Sequence, residues 1–136
     1  MKKSFSLILS VVLIFQFIIG VGAYTFNENP LYTVEIPDEI DGVPVTKIAD
    51  FSATNLEYVT EFYIGKNVKE IGLWALENNQ HISQYTVDEA NEHFCSVDGV
   101  IYTKDMKTVV FFPPAKEGEY QVSDGVETIR TKAFYK

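Results

Sequence analysis

One short pattern recurs through this chain and constrains its fold more than any other feature. It reads Val45-Thr46-Lys47-Ile48-Ala49-Asp50-Phe51-Ser52-Ala53, then Val68-Lys69-Glu70-Ile71-Gly72-Leu73-Trp74-Ala75-Leu76, then Val126-Glu127-Thr128-Ile129-Arg130-Thr131-Lys132-Ala133-Phe134. The first two motifs start 23 residues apart and the last two 58 apart, one further period of 23 with an excess of 35. The same shift of 23 maps Val59 onto Ile82, Phe62 onto Tyr85 and Ile64 onto Val87, so the match covers a whole unit. A unit this small, with a strand over residues 62–64 and a turn beginning at Val68, cannot bury its own apolar face. Neighbours must stack on it, which is the logic of a solenoid. Stacking places Phe62 over Tyr85 and Ile64 over Val87 in parallel strands about 4.8 Å apart. Residues 73–77 read as one helical or 3₁₀ turn, too short to stand alone.

Upstream, Thr33-Val34-Glu35-Ile36-Pro37 alternates and stops at proline, as a short strand does. Asp41-Gly42 marks a turn, and Val43-Pro44 keeps the chain extended into the first motif. After Val87 the register breaks for 35 residues. Within the break, Phe94-Cys95-Ser96-Val97 and Val100-Ile101-Tyr102 flank Asp98-Gly99, a type I′ hairpin signal. A second turn at Lys104-Asp105-Met106-Lys107 leads into Thr108-Val109-Val110-Phe111-Phe112, ended by Pro113-Pro114. The insertion is therefore expected to be a three-stranded meander over residues 88–119. The repeat strand is expected to return as Tyr120-Gln121-Val122, completing a spine of Phe62, Ile64, Tyr85, Val87, Tyr120 and Val122. The fold expected is mostly β with short helical or 3₁₀ turns: a solenoid of about three units, near residues 31–53, 54–76 and 77–87 plus 120–136, interrupted by the meander.

At 136 residues and 46% hydrophobic, the chain fits at most one globular domain. Lys2 and Lys3, the apolar run over residues 7–19 and the small residues Gly20-Val21-Gly22-Ala23 form the three parts of a secretory signal peptide, with cleavage expected after Ala23. The competing reading is an uncleaved anchor, since residues 5–23 approach the span of a bilayer. Ser10 and Gln16 interrupt that run and no basic flank follows it, which favours cleavage and a mature domain over residues 24–136. The formal charge of −8, less the two positive charges of Lys2 and Lys3, becomes −10 on cleavage. Acidity of that size argues against nucleic acid or an anionic membrane as partner.

Candidate chemistry is sparse. The single Cys95 excludes an internal disulfide and a multi-cysteine zinc site. His93-x-Cys95 invites a thiol–imidazole dyad or half a metal site, but an edge histidine beside a packed cysteine is the simpler reading. The acids Asp88, Glu89 and Glu92, like Asp38, Glu39 and Asp41, lack the spacing that encloses calcium. Nothing matches a nucleophile elbow, a phosphate loop or a zincin helix. No enzyme activity, cofactor or metal is expected. Trp74 is expected to fill the turn rather than serve as a ligand platform. Recognition remains. Alternate strand residues face opposite ways, so Glu35, Tyr63, Thr86 and Gln121 should form one outward column beside Thr33, Glu61, Gln84 and Glu119. Stacked strands make such columns a continuous binding surface. Tyr63 is the best single candidate, because exposed aromatics often anchor interfaces.

Val68, Ile71, Gly72, Ala75, Leu76, Ile82, Tyr85 and Val87 follow the order V-x-x-I-G-x-x-A-F, x-x-L-x-x-V-x-I-P of the BspA-type leucine-rich repeat, which this chain resembles. An opening I-P-x-x-I-x-G-x-x-V-T-x-I is matched by Ile36, Pro37, Ile40, Gly42, Val45, Thr46 and Ile48. An interrupting N-x-x-F-x-S-x-D-G-V-L-Y is matched by Asn91, Phe94, Ser96, Asp98, Gly99, Val100 and Tyr102, with Ile101 in the Leu place. The resemblance covers nearly all of residues 31–135. It implies a bacterial, secreted or cell-surface module that binds a host or bacterial surface protein or a glycan, as in adhesion, with no residue signature for the ligand. Ser52-Ala53 departs from the pattern, and no strand or capping repeat follows Phe134. A structural alternative is therefore also expected: a spacer or truncated array that associates through its open C-terminal repeat.

Overall fold

The protein was analysed as a computed structural model that describes residues 32–135. The expected leader over residues 1–23 lies outside the described residues. In chain order the strands are β1 (Tyr32–Ile36), β2 (Glu39–Ile40), β3 (Val43–Pro44), β4 (Lys47–Ile48), β5 (Val59–Ile64) and β6 (Glu70–Ile71). They continue as β7 (Gln84–Val87), β8 (Phe94–Val97), β9 (Val100–Thr103), β10 (Thr108–Phe111) and β11 (Thr128–Ile129).

Strands β1, β5 and β7 form a parallel sheet in that order. Its register sets Val34 beside Phe62 and Phe62 beside Tyr85, then Ile36 beside Ile64 and Ile64 beside Val87. These six side chains face inward and are buried. Burial of each full-sized apolar side chain contributes about 1.5–3 kcal/mol. The order in space skips the motifs that lie between these strands, because the motifs form a second wall. There β4 pairs with β6 in parallel, Ile48 beside Ile71. The N–H groups of Lys69 and Glu70 both donate to the Thr46 carbonyl, and Gly72 N–H donates to Ile48 at 2.8 Å. Gly72 is required by this close approach: a Cβ there would lie 2.2 Å from Asp50 Oδ1 and 2.7 Å from its backbone nitrogen.

The insertion is an antiparallel meander of β8, β9 and β10. Asp98 and Gly99 have φ of 50° and 76°, the two left-handed residues of a type I′ turn. The third motif docks on this insertion. Glu127 and Thr128 donate to the Lys107 carbonyl and Arg130 to Val109, so β10 plays for β11 the part that β4 plays for β6.

The structure differs from the sequence expectation in two places. Residues 120–122 form no strand, and Tyr120 and Val122 leave the expected spine. They pack instead on a second core cluster of Val100, Tyr102, Val109 and Ala133. The reason is that the next position beside β7 is already taken. Tyr85 N–H donates to the Gly99 carbonyl and Val87 N–H to Ser96 Oγ, which closes that edge with the inserted hairpin. The expected helical or 3₁₀ turns are also absent among the described residues, which are built of strands and turns. In residues 73–77 the backbone makes only two long turn bonds along itself, Ala75 N–H to Gly72 and Glu77 N–H to Trp74, each at 3.4 Å, and bonds sideways as well. Trp74 N–H donates to Asp50 Oδ1, while the carbonyls of Trp74 and Ala75 accept from Phe51 and Ala53.

Candidate binding face

The outer face of the β1-β5-β7 sheet carries two columns. Thr33, Glu61 and Gln84 lie side by side and exposed, as do Glu35, Tyr63 and Thr86, of which Tyr63 and Thr86 are half-buried. Period-2 alternation puts these side chains opposite the buried row. Thr33 Oγ1 donates to Glu61 Oε2 at 3.4 Å, a long contact that leaves both groups mostly to solvent. Tyr63 is less free than its place suggests. Its hydroxyl donates to Asp88 Oδ2 at 2.6 Å. That bond, with partial burial and the charge of Asp88 adding to it, pushes the phenol up to about 12. The same bond and the Ala90 N–H hold the Asp88 carboxyl below its ordinary range. Tyr63 is thus oriented before any partner arrives, with its ring half exposed.

The columns stop at β7. Gln121 is exposed, but it lies on no strand and does not continue the row of Thr86, and Glu119 likewise stands outside the sheet. The face as folded consists of Thr33, Glu35, Glu61, Tyr63, Gln84 and Thr86.

Two buried residues tie neighbouring units together behind this face; Asn91 heads the interrupting motif, whereas Asn79 carries no signal of its own in the sequence. Asn79 and Asn91 are the polar residues buried among those described. Asn79 Nδ2 donates to the carbonyls of Ala53 and Leu76, and its Oδ1 accepts from Leu56 N–H. Asn91 Nδ2 donates to Gly65 and Val68, and its Oδ1 accepts from His93 and Phe94. The partners lie up to 26 residues away, which is why local pattern could not find them.

Trp74 departs from the expected turn filler. It stands half exposed in a surface row made by the seventh position of each motif. Phe51 stacks on it at 6.1 Å and 14°, and Lys132 Nζ lies 4.3 Å over its ring. Tyr135 closes the row, with its ring 3.8 Å from the same ammonium.

Elsewhere the chemistry is quiet. Cys95 Sγ points at the Thr103 carbonyl, and burial pushes its thiol up, so it is protonated at neutral pH. His93 is exposed, and its backbone N–H is the group that bonds Asn91. Among the described residues no three His, Cys, Asp or Glu side chains are grouped to hold a metal, and no helix is long and apolar enough to cross a membrane.

The crystal structure of the pneumococcal vaccine antigen PcpA is similar over 70% of this chain and 24% of its own, at 25% identity and a TM-score of 0.63. A leucine-rich repeat protein from Eubacterium ventriosum ATCC 27560 is similar over 75% of this chain and 26% of its own, at 24% identity and a TM-score of 0.60. The fold is of the leucine-rich-repeat type. No protein-family model and no curated protein matches the chain. It spans about a quarter of the length of these structures. The antigen and the repeat protein are together consistent with a surface repeat module.

Proposed function

We propose that this chain is an exported, non-catalytic leucine-rich-repeat module of the BspA type, built as a short solenoid of about three units over residues 24–136. It binds a surface protein or glycan through the outer face of its parallel sheet. The observation that carries this reading is the register. Glu35, Tyr63 and Thr86 are aligned across three strands, with Thr33, Glu61 and Gln84 beside them, while every alternate residue is committed to the core. Binding here is multivalent contact along the columns rather than enclosure in a pocket. Tyr63, held by Asp88, supplies the aromatic anchor, and Glu61 and Gln84 supply polar contacts.

The test separates ring from hydroxyl. Binding of the purified protein to bacterial cells and to matrix proteins should fall on Tyr63→Ala and Glu61→Ala. Tyr63→Phe should keep most of it, and Gln121→Ala should leave it unchanged. Unaltered binding in Tyr63→Ala would remove the sheet face as the site. A thiol-dependent activity abolished by Cys95→Ser would return the module to the enzymes.

A further inference from the structure

The outer face of the parallel sheet carries charge that the molecule does not offset. Lys66 is taken by Asp38 at 3.0 Å and Lys116 by Asp98 at 3.1 Å. Glu35 and Glu61 are both exposed, and neither is ion-paired with a described residue. The register fixes how they meet Tyr63. Glu35 lies beside it on β1, and Glu61 lies two residues before it on β5. The two carboxylates therefore sit diagonally, about 7–8 Å apart at the backbone. Among the described residues no three acids are grouped to hold a metal ion.

The aromatic ring narrows the choice of cation. Tyr63 spends its hydroxyl on Asp88 at 2.6 Å, which leaves the ring rather than the oxygen for a partner. The charges of Asp88, Asp38 and Glu35 all bear on that hydroxyl, and of these Asp38 is offset by Lys66. A guanidinium suits a ring flanked by carboxylates. It lies flat within about 6 Å of a ring centre, and its fork of N–H donors reaches carboxylate oxygens at about 2.7–2.9 Å. An ammonium is a compact point charge and cannot stack in the same way. In an extended chain every second side chain recurs at about 6.6 Å, the repeat of β5 itself. A segment laid along β5 thus brings one side chain over Tyr63 and the next over Glu61.

We propose that the sheet face docks an extended, arginine-bearing segment of a partner protein, with one guanidinium on the Tyr63 ring flanked by Glu35 and Glu61. This rests on the sheet face being the binding surface and names the chemistry that it selects. Charge complementarity sets the sign of the partner, and the ring sets the preference for arginine.

Fluorescence anisotropy of the full chain with a labelled hexapeptide of alternating arginine and threonine tests this. Binding should saturate at one site, weaken about threefold or more when lysine replaces arginine, and vanish with citrulline, which lacks the charge. Glu35→Gln combined with Glu61→Gln should weaken it about tenfold, as should Tyr63→Leu, which keeps apolar bulk without the ring. Glu117→Gln combined with Asp124→Asn removes the same two charges at exposed positions off the sheet and should leave binding unchanged. Circular dichroism matching the parent protein certifies that each variant is folded. Equal losses from the two charge pairs would reduce the effect to net charge and overturn the proposal. So would a parent protein that ignores the peptide, or undiminished binding in Tyr63→Leu. Chitosan fragments that displace the label at lower concentration than unlabelled peptide would overturn it in favour of an amino sugar. Cell binding lost in Tyr63→Ala but kept in Glu35→Gln with Glu61→Gln would end the arginine assignment and leave the sheet face standing. Cell binding kept in Tyr63→Ala would remove the face itself, and the proposal with it.

Discussion

The junction between the first and second motifs and the junction between the second and third use the same sequence pattern and solve different problems. At the first, backbone meets backbone. Gly72 approaches Asp50 closely enough to donate to Ile48, and Trp74 lies on Phe51. At the second, Arg130 stands where Gly72 stood. Its guanidinium reaches across to the Ile71 carbonyl at 2.6 Å while lying 5.3 Å over the Phe111 ring, and its own backbone bonds β10 instead. A long side chain spans the gap that the absence of one would have closed. The inserted meander is therefore not a loop hung outside the repeats. It closes the β7 edge and supplies the platform on which the third motif sits.

This contrast can be broken in graded ways. The largest effect is expected at the buried asparagines, one for each region. Asn91→Ala strands four backbone groups that bind the second motif to the insertion, and Asn79→Ala strands three at the first junction. Each should cost about 3 kcal/mol or more in urea unfolding, with Asn91→Ala the worse of the two. A loss below about 1 kcal/mol in either would mean that water satisfies those groups. Next comes Gly72→Val, which drives carbon into the Asp50 backbone and should cost about 2–3 kcal/mol by the same measurement. Valine at this position without penalty would show that the first junction is looser than described. Arg130→Ala should cost less, about 1–2 kcal/mol, because it strands a single part-buried carbonyl, that of Ile71. The smallest effect is electrostatic. Lys47→Ala removes an ion pair with Glu70 between two well-exposed side chains and should leave the midpoint unchanged.

The sheet face gives a pH signature of its own. Tyr63 has its phenol raised in the folded protein, from an ordinary 10.0 to about 12. Below pH 10 the folded and unfolded chains hold this proton equally, and the stabilisation is fully present. Between about 10 and 12 the unfolded chain loses the proton first, so stability declines as pH rises. Asp88→Asn should bring the Tyr63 phenolate signal to lower pH in a spectrophotometric titration. Tyr85 and Tyr120, raised chiefly by burial, should still titrate late. A titration indistinguishable from the parent protein would show that Tyr63 does not donate to Asp88 in solution.

How far these regions could be read beforehand differs with the range of the interactions that make them. The paired rows of Phe62 with Tyr85 and Ile64 with Val87 are written in a fixed period, because stacking copies the same apolar demand into each unit. Asp98-Gly99 announces its hairpin because a type I′ turn needs two left-handed residues in a row. Tyr120-Gln121-Val122 alternates like a strand and is not one, since strand formation needs a free neighbour and Gly99 and Ser96 already occupy β7. That alternation alone is what puts Gln121 on the face in the sequence. The parity of Glu35, Glu61, Tyr63, Gln84 and Thr86 was legible, whereas the tie from Tyr63 to Asp88 spans 25 residues and was not. The row around Trp74 is not legible locally for a related reason: its partners Phe51 and Lys132 belong to other motifs.

Nuclear Overhauser contacts in isotopically labelled protein test most directly where the third motif sits. Cross-strand contacts are expected from Ile48 to Ile71 and from Val109 to Ile129, with Tyr85 beside Gly99 and none between residues 120–122 and β7. A strand at 120–122 paired with β7, or Ile129 paired with Ile71, would contradict it.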